Sequence, residues 1–186
     1  LQDLFALMEG EAVASPLIRS ARQSELDDVA LLEVQAGELF HSVGMSEVAD
    51  HVPDQQALGR SQRQGLVWVA EEDGKIAGYI VARVLDGNAH VEQVSVAPTH
   101  ARRGIGRRLI SHLELWGRRN DRPATTLTTF RDVPWNGPYY RKLGYRELPG
   151  AEIGRELAAA MQHEAALPGI DAFRRCAMIK YNGDVS

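Results

Sequence analysis

Residues 90–115 read HVEQVSVAPTHARRGIGRRLISHLEL, and the change of pattern inside this stretch decides the fold. Its first part, Val91-Glu92-Gln93-Val94-Ser95-Val96, is rich in β-branched residues and predicts a strand. Its last part places Ile105, Leu109, Leu113 and then Trp116 on one helical stripe with Arg and Glu elsewhere, which predicts a helix lying on a sheet. Between the two sits a basic turn bearing Gly104 and Gly106, with Arg102, Arg103, Arg107 and Arg108 around it. Glycine lets a ligand approach the backbone, and the free N–H groups and dipole of a helix start favour negative charge. A strand running through such a turn into a helix is a ready site for a phosphate-bearing ligand.

Working outward, the pattern alternates. Leu66 to Ala70 and Lys75 to Val84 have strand composition and are joined by Glu71-Glu72-Asp73-Gly74, a hairpin signal. Asp86-Gly87-Asn88 leads into the strand from Ala89 to Val96, so three consecutive antiparallel strands are expected. Upstream, Leu17 to Arg19 predicts a short strand, and Ser24 with Asp27 resembles a capped start for a helix bearing Val29, Leu32 and Leu39. Residues 41 to 64 read as loop, a short helix over Asp54 to Gln62, and loop again. Downstream, Thr125 to Phe130 predicts a strand, Pro138 to Leu143 a short helix, Ile153 to Ala166 a helix and Cys176 to Tyr181 a last strand. The expected class is α+β, a mostly antiparallel twisted sheet of six or seven strands with helices on both faces. Residues 1–16, with Leu4, Phe5, Leu7 and Met8, read as an N-terminal arm before one domain over residues 17–186.

Composition narrows the ligand. The 186 residues carry a formal charge of −4, which argues against an extended nucleic-acid surface and makes the basic turn a local exception. The one cysteine, Cys176, forms no internal disulfide, and the six histidines show no metal-ligand spacing, so no metal is expected. With no long apolar run and no basic-then-hydrophobic N-terminal segment, the expected setting is cytoplasmic, away from membranes.

The order of elements resembles the GNAT superfamily of acyl-CoA-dependent N-acyltransferases over roughly residues 17 to 181. Val94-Ser95-Val96-Ala97-Pro98 followed by Arg103-Gly104-Ile105-Gly106-Arg107 is similar to that family's pyrophosphate motif, R/Q-x-x-G-x-G/A. Ala101 stands at the motif's first position, so the arginines beside it are the side chains left to help the backbone. Tyr140-Arg141-Lys142-Leu143-Gly144-Tyr145 resembles the family's second signature, Y-x-x-x-G-F/Y. The resemblance implies acetyl-CoA as cosubstrate and a splayed strand pair that holds the pantetheine arm. The implied cofactor contacts are Val94, Ser95, Val96, Arg102, Arg103, Gly104, Ile105, Gly106, Arg107 and Asn136.

Strict period-two alternation puts His90, Glu92, Val94 and Val96 on one strand face and Val91, Gln93 and Ser95 on the other. His90 and Glu92 then stand where members of the family carry a His or Glu general base, and both remain candidates. Tyr140 matches the general acid toward the coenzyme A thiolate. Phe40, His41, Phe130, Asp132 and Trp135, with Met45 and Asp50, are the candidate lining of an amine pocket in the family's usual place; aromatics with an acid suit a cation. The implied reaction is acetyl transfer to a primary amine of a small molecule or peptide by direct attack in a ternary complex, since no cysteine lies near the motif in the sequence. A homodimer is left open. Two other readings compete: a catalytically silent acyl-CoA sensor, and a nucleotide-binding α/β protein. The absence of G-K-[ST] and of G-x-G-x-x-G weighs against the second.

Overall fold

The computed structural model describes residues 15–50, 52–171 and 174–183, so most of the expected N-terminal arm lies outside the described residues. Seven strands form one sheet in the order β1-β2-β3-β4-β5-β7-β6. They are β1 Leu17–Ser20, β2 Val67–Glu72, β3 Lys75–Leu85, β4 Asn88–Val96, β5 Ala124–Phe130, β6 Arg146–Glu147 and β7 Arg175–Tyr181. Neighbours run antiparallel except β4 and β5, which are parallel and are connected through helix α4, Ile105–Arg119. The two Asp-Gly pairs do make the hairpins. Asp73 and Gly74 have φ of 51° and 73°, and Asp86 and Gly87 have 48° and 78°, the left-handed pairs that match strand twist.

Helices cover both faces. The predicted stripe of α4 holds: Ile105, Leu109 and Leu113, joined by Ile110, are buried against Trp68, Ala70, Ile80, Val91 and Leu127. The short helix α5, Gly137–Lys142, sits on that same face through Tyr140. On the opposite face, α1 (Leu26–Gly37) and α3 (Gln55–Arg63) bury Val29, Leu32 and Leu58 over Val67, Val69, Tyr79 and Val81. Helix α6, Arg155–Ala165, covers the far end of that face through Leu157. Its position is fixed by Asp86 of the β3–β4 turn, whose carboxylate accepts from the N–H groups of Glu156 and Leu157 at 2.9 Å each.

Three expectations are corrected. Ser24 caps nothing: a 3-10 turn over Gln23–Glu25 precedes α1, and the Glu25 carboxylate instead accepts from the Arg22 N–H at 2.8 Å. The stretch read as loop after His41 contains part of a 3-10 turn, Glu38–Val43, and helix α2, Ser46–Ala49. The third correction matters most for the site. Val81 pairs with Gln93 but Ala82 pairs with Val91, so Glu92 is an extra residue, a β-bulge that interrupts the period of two. Val91, Val94 and Val96 all join the α4-side cluster. His90, Glu92, Gln93 and Ser95 accompany the opposite face, where His90 meets Thr126 and Glu92 meets Arg83. His90 and Glu92 thus stay together, but Val94 and Val96 do not share their side.

The bulge also marks where the sheet divides. Strand β4 pairs with β5 only over Ala89–Val91 against Thr125–Leu127. Beyond it, Gln93 to Val96 remain paired to β3, and Thr128 to Phe130 to β7. The two halves separate as a V whose β4 arm ends at the basic turn.

Close approach at Gly78 holds that arm under α4. A Cβ on Gly78 would stand 2.9 Å from the Ser95 carbonyl oxygen and 3.1 Å from Ile105 Cγ2. Gly78→Ala is therefore expected to lower unfolding stability by about 1–3 kcal/mol in urea denaturation; an unchanged midpoint at unchanged slope would contradict this packing.

Candidate active site

The β4 arm leads through a 3-10 turn, Pro98–His100, to Arg102 and Gly104, which take left-handed φ of 63° and 78° before α4 begins. The first intrahelical bond is from Arg108 N–H to the Gly104 carbonyl at 3.1 Å. No side chain caps the start, so the N–H groups of Ile105, Gly106 and Arg107 present a backbone donor set at the mouth of the split. Arg102, Arg107 and Arg108 are exposed beside it. Arg103 is already engaged: it pairs at 2.8 Å with the buried carboxylate of Glu72, which also lies 3.3 Å from His100 Nε2.

Helix α5 approaches the same turn. A Cβ on Gly106 would lie 3.5 Å from the Tyr139 hydroxyl and 3.6 Å from Val96 Cγ2, so Tyr139 reaches the start of α4. Burial raises its phenol pKa while Arg107 opposes that rise. Tyr140, its ring 5.5 Å from that of Tyr139, goes deeper into the α4-side cluster with Val94 and Val96, 5.9 Å from the ring of Tyr145. Burial holds its phenol pKa well above the ordinary value. Asn136 precedes α5 and supports it through its carbonyl, which accepts from Tyr140 N–H at 3.0 Å.

On the opposite face, Glu92 is partly exposed, 3.5 Å from Arg83, and burial raises its carboxyl pKa while Arg83 works against that rise. His90 is only 2% exposed, its Nδ1 3.0 Å from Thr126 Oγ1, and burial pushes its pKa down to about 3. It is a neutral imidazole of low basicity. Around them the fold gathers residues absent from the sequence reading. Glu33 of α1 accepts from the Tyr79 hydroxyl, and Glu164 of α6 accepts from Thr128 Oγ1 at 2.7 Å and pairs with Arg175. Nothing local marked these residues, because five different elements, α1, β3, β5, α6 and β7, bring them to one place.

The aromatic residues expected to line an amine pocket lie against one another. The Phe40 ring lies 5.8 Å from Phe130 and 5.9 Å from Trp135, beside a cluster of Met45, Phe130 and Val133. The acids expected there are occupied elsewhere: Asp132 pairs with Arg174 at 3.2 Å and Asp50 with His41 at 3.4 Å. The negative charge of this face comes instead from Glu33, Glu92 and Glu164. Cys176, remote from the motif in sequence, shares the cluster of Tyr140; it is buried, and that burial raises its thiol pKa. A thiol held protonated in this way is a poor nucleophile.

Comparison with known proteins gives the same architecture. Residues 63–147 match the model of an acetyltransferase (GNAT) domain. The S-(2-succino)cysteine N-acetyltransferase of Bacillus subtilis (strain 168) is 26% identical over 149 residues, 75% of this chain and 90% of that protein. The structure of the ribosomal-protein-S18-alanine N-acetyltransferase of Escherichia coli is similar with a TM-score of 0.64 at 18% identity, over 91% of this chain and 96% of that one. That of the PaiA N-acetyltransferase of Thermoplasma acidophilum, in complex with coenzyme A, has a TM-score of 0.65 at 14% identity, over 90% and 99%. The matched segment runs through the split strand, the glycine turn and α5, so residues 63–147 are similar to a GNAT acetyltransferase domain and the fold is the one these N-acetyltransferases share.

Proposed function

We propose that this protein transfers an acetyl group from acetyl-CoA to a primary amine by direct attack, with Glu92 as general base and Tyr140 as general acid. The observation that carries the reading is the division of the sheet at Glu92, which among the described residues leaves one edge of Gln93–Val96 without a strand partner and ends at the donor set of α4. Exposed backbone groups of an extended arm pair with an amide-bearing chain as a strand would. The pantetheine arm has that chemistry, and its pyrophosphate suits the N–H groups of Ile105, Gly106 and Arg107 with the arginines beside them. Val94, Ser95 and Val96 supply the edge; Arg103 contributes only if it leaves Glu72.

A primary amine attacks only as the free base. Glu92 lies on the open face with a raised pKa and partial access to water, which suits it to take the ammonium proton. His90 is the weaker candidate because burial has removed most of its basicity. The amine nitrogen bonds to the acetyl carbonyl carbon, the carbon–sulfur bond breaks, and the departing thiolate takes the proton of Tyr140. Among the described residues no protein group accepts from the Tyr140 hydroxyl, and its raised pKa keeps the proton in place until a thiolate forms. The second proton of the attacking nitrogen restores the phenol, so acetamide, free thiol and one released proton balance the reaction. The S-(2-succino)cysteine N-acetyltransferase and the ribosomal-protein alanine N-acetyltransferase both work on amines, which supports an amine acceptor of small-molecule or peptide type. The cytoplasm remains the proposed setting, as a single domain with a free thiol.

Acetyl-CoA at 100 times its dissociation constant is expected to stabilise the fold by about 2.7 kcal/mol, read as a rise in Tm; no shift would sink the assignment. In thiol-release assays with a turned-over amine, Tyr140→Phe should lower kcat about 100-fold or more with coenzyme A affinity retained. Wild-type kcat/KM should rise with pH through the elevated pKa of Glu92, because only the carboxylate accepts a proton. Glu92→Gln should lose that acidic limb along with most of the rate, and a limb that survives the substitution would assign the base elsewhere.

A further inference from the structure

Arg175 carries a donor that no described residue accepts from. Its side chain is 15% exposed, and its Nη2 donates to Thr128 Oγ1 at 2.9 Å and to Glu164. Its Nε is buried and meets no hydrogen-bond acceptor among the described residues. A buried N–H left unpaired costs about 1–3 kcal/mol, so such a group calls for a partner. Arg175 is held rather than loose: its guanidinium carbon lies 4.8 Å above the Phe130 ring, and Phe130 itself packs on Phe40.

Its location identifies the kind of ligand. Thr128, which the guanidinium touches, is the next β5 residue after Leu127, and Leu127 pairs with Val91. Continuing the parallel register, Thr128 stands level with Glu92 on the neighbouring strand. The two backbones are about 5 Å apart where strands pair and farther where they separate. Glu92 and the Arg175 guanidinium occupy the same sheet face, one on each side of the opening. The Arg175 charge also acts on both His90 and Tyr140, on opposite faces, as expected of a group at the split itself. The neighbouring Arg174 is committed to Asp132 and Arg83 lies beside Glu92 itself, so Arg175 is the cation across the opening from Glu92.

We propose that Arg175, with Thr128, is an anchor for a carboxylate on the acceptor, so that the amine presented to Glu92 belongs to an amino acid or another compound with a carboxylate close to its amino group. This rests on the acetyl-transfer reading above. A planar guanidinium matches a carboxylate through two parallel hydrogen bonds, a geometry that an ammonium cannot reproduce. Glu164 occupies part of the guanidinium now, as a resident carboxylate of the kind an incoming one would displace or share. An ammonium placed between Glu92 and Glu164 with its carboxylate on Arg175 satisfies both signs of charge at the opening. A purely cationic amine would leave the Arg175 Nε unused.

The test is a thiol-release assay with acetyl-CoA over amino acids, each beside its carboxamide and its decarboxylated amine. The best acid is expected to exceed its carboxamide in kcat/KM by at least about 30-fold. In Arg175→Gln that preference should collapse to within about threefold. Arg175→Lys, which keeps the charge if the first variant fails to fold, should reduce the preference and raise KM for the acid. Glu164→Gln, which removes the resident competitor, should retain the preference. Carboxamides or decarboxylated amines turned over as well as the acids, or a preference that survives both Arg175 substitutions, would overturn the anchor while acetyl transfer stands. Absence of thiol release with every acceptor, in protein that binds acetyl-CoA, would overturn the transfer reading and the anchor with it.

Discussion

The rest of the site depends on one unmet requirement of the backbone. Every strand residue other than proline carries a donor and an acceptor that must find partners, and Gln93 to Val96 have them on the β3 side but, among the described residues, no strand on the other. The extra residue at Glu92 ends the β4–β5 ladder. Because β4 continues through the glycine turn into α4, the same deviation puts an unpaired strand edge and an unpaired helix start end to end. An extended ligand with amide groups and a terminal anion meets both, and a ligand lacking either meets only one.

The bulge also distributes the chemistry between two faces. Glu92 is turned toward the side of α1 and α6, where charge and partial solvent access suit proton removal. Tyr140 lies on the α4 side among apolar neighbours, where burial keeps a phenol protonated. A reaction needing a base for one reactant and an acid for the other is served by a split through which the two faces communicate. His90 follows the same logic in the negative: the paired part of β4 buries it, and burial removes its basicity.

Much of this was legible in the sequence because the signals were local. The two Asp-Gly hairpins, the α4 stripe and the glycine turn each depend on residues within a few positions of one another, and all appear as predicted. The face of Val94 and Val96 was misread because a bulge depends on the partner strand: only the pairing of Val81 and Ala82 reveals the extra residue. Ser24 does not cap α1 because it lies inside the 3-10 turn Gln23–Glu25, which puts Glu25 at the helix start. The acceptor-side charges Glu33, Arg83, Glu164 and Arg175 had no local signature, since their meaning comes from separate elements meeting over β4 and β5. Conversely, Asp132 and Asp50 had suitable chemistry in the right stretch but are paired with Arg174 and His41. The aromatic trio of Phe40, Phe130 and Trp135 does meet, because the 3-10 turn after α1 reaches the end of β5 and the turn that follows it.

Hydrogen–deuterium exchange with and without coenzyme A reads the unpaired backbone groups of the β4 arm and the α4 start themselves. If they hold the cofactor, protection concentrates in residues 93–97 and 104–108, with little change in β1 and β2 at the far edge of the sheet. Protection confined to other segments, or no protection in protein that binds coenzyme A, would contradict it.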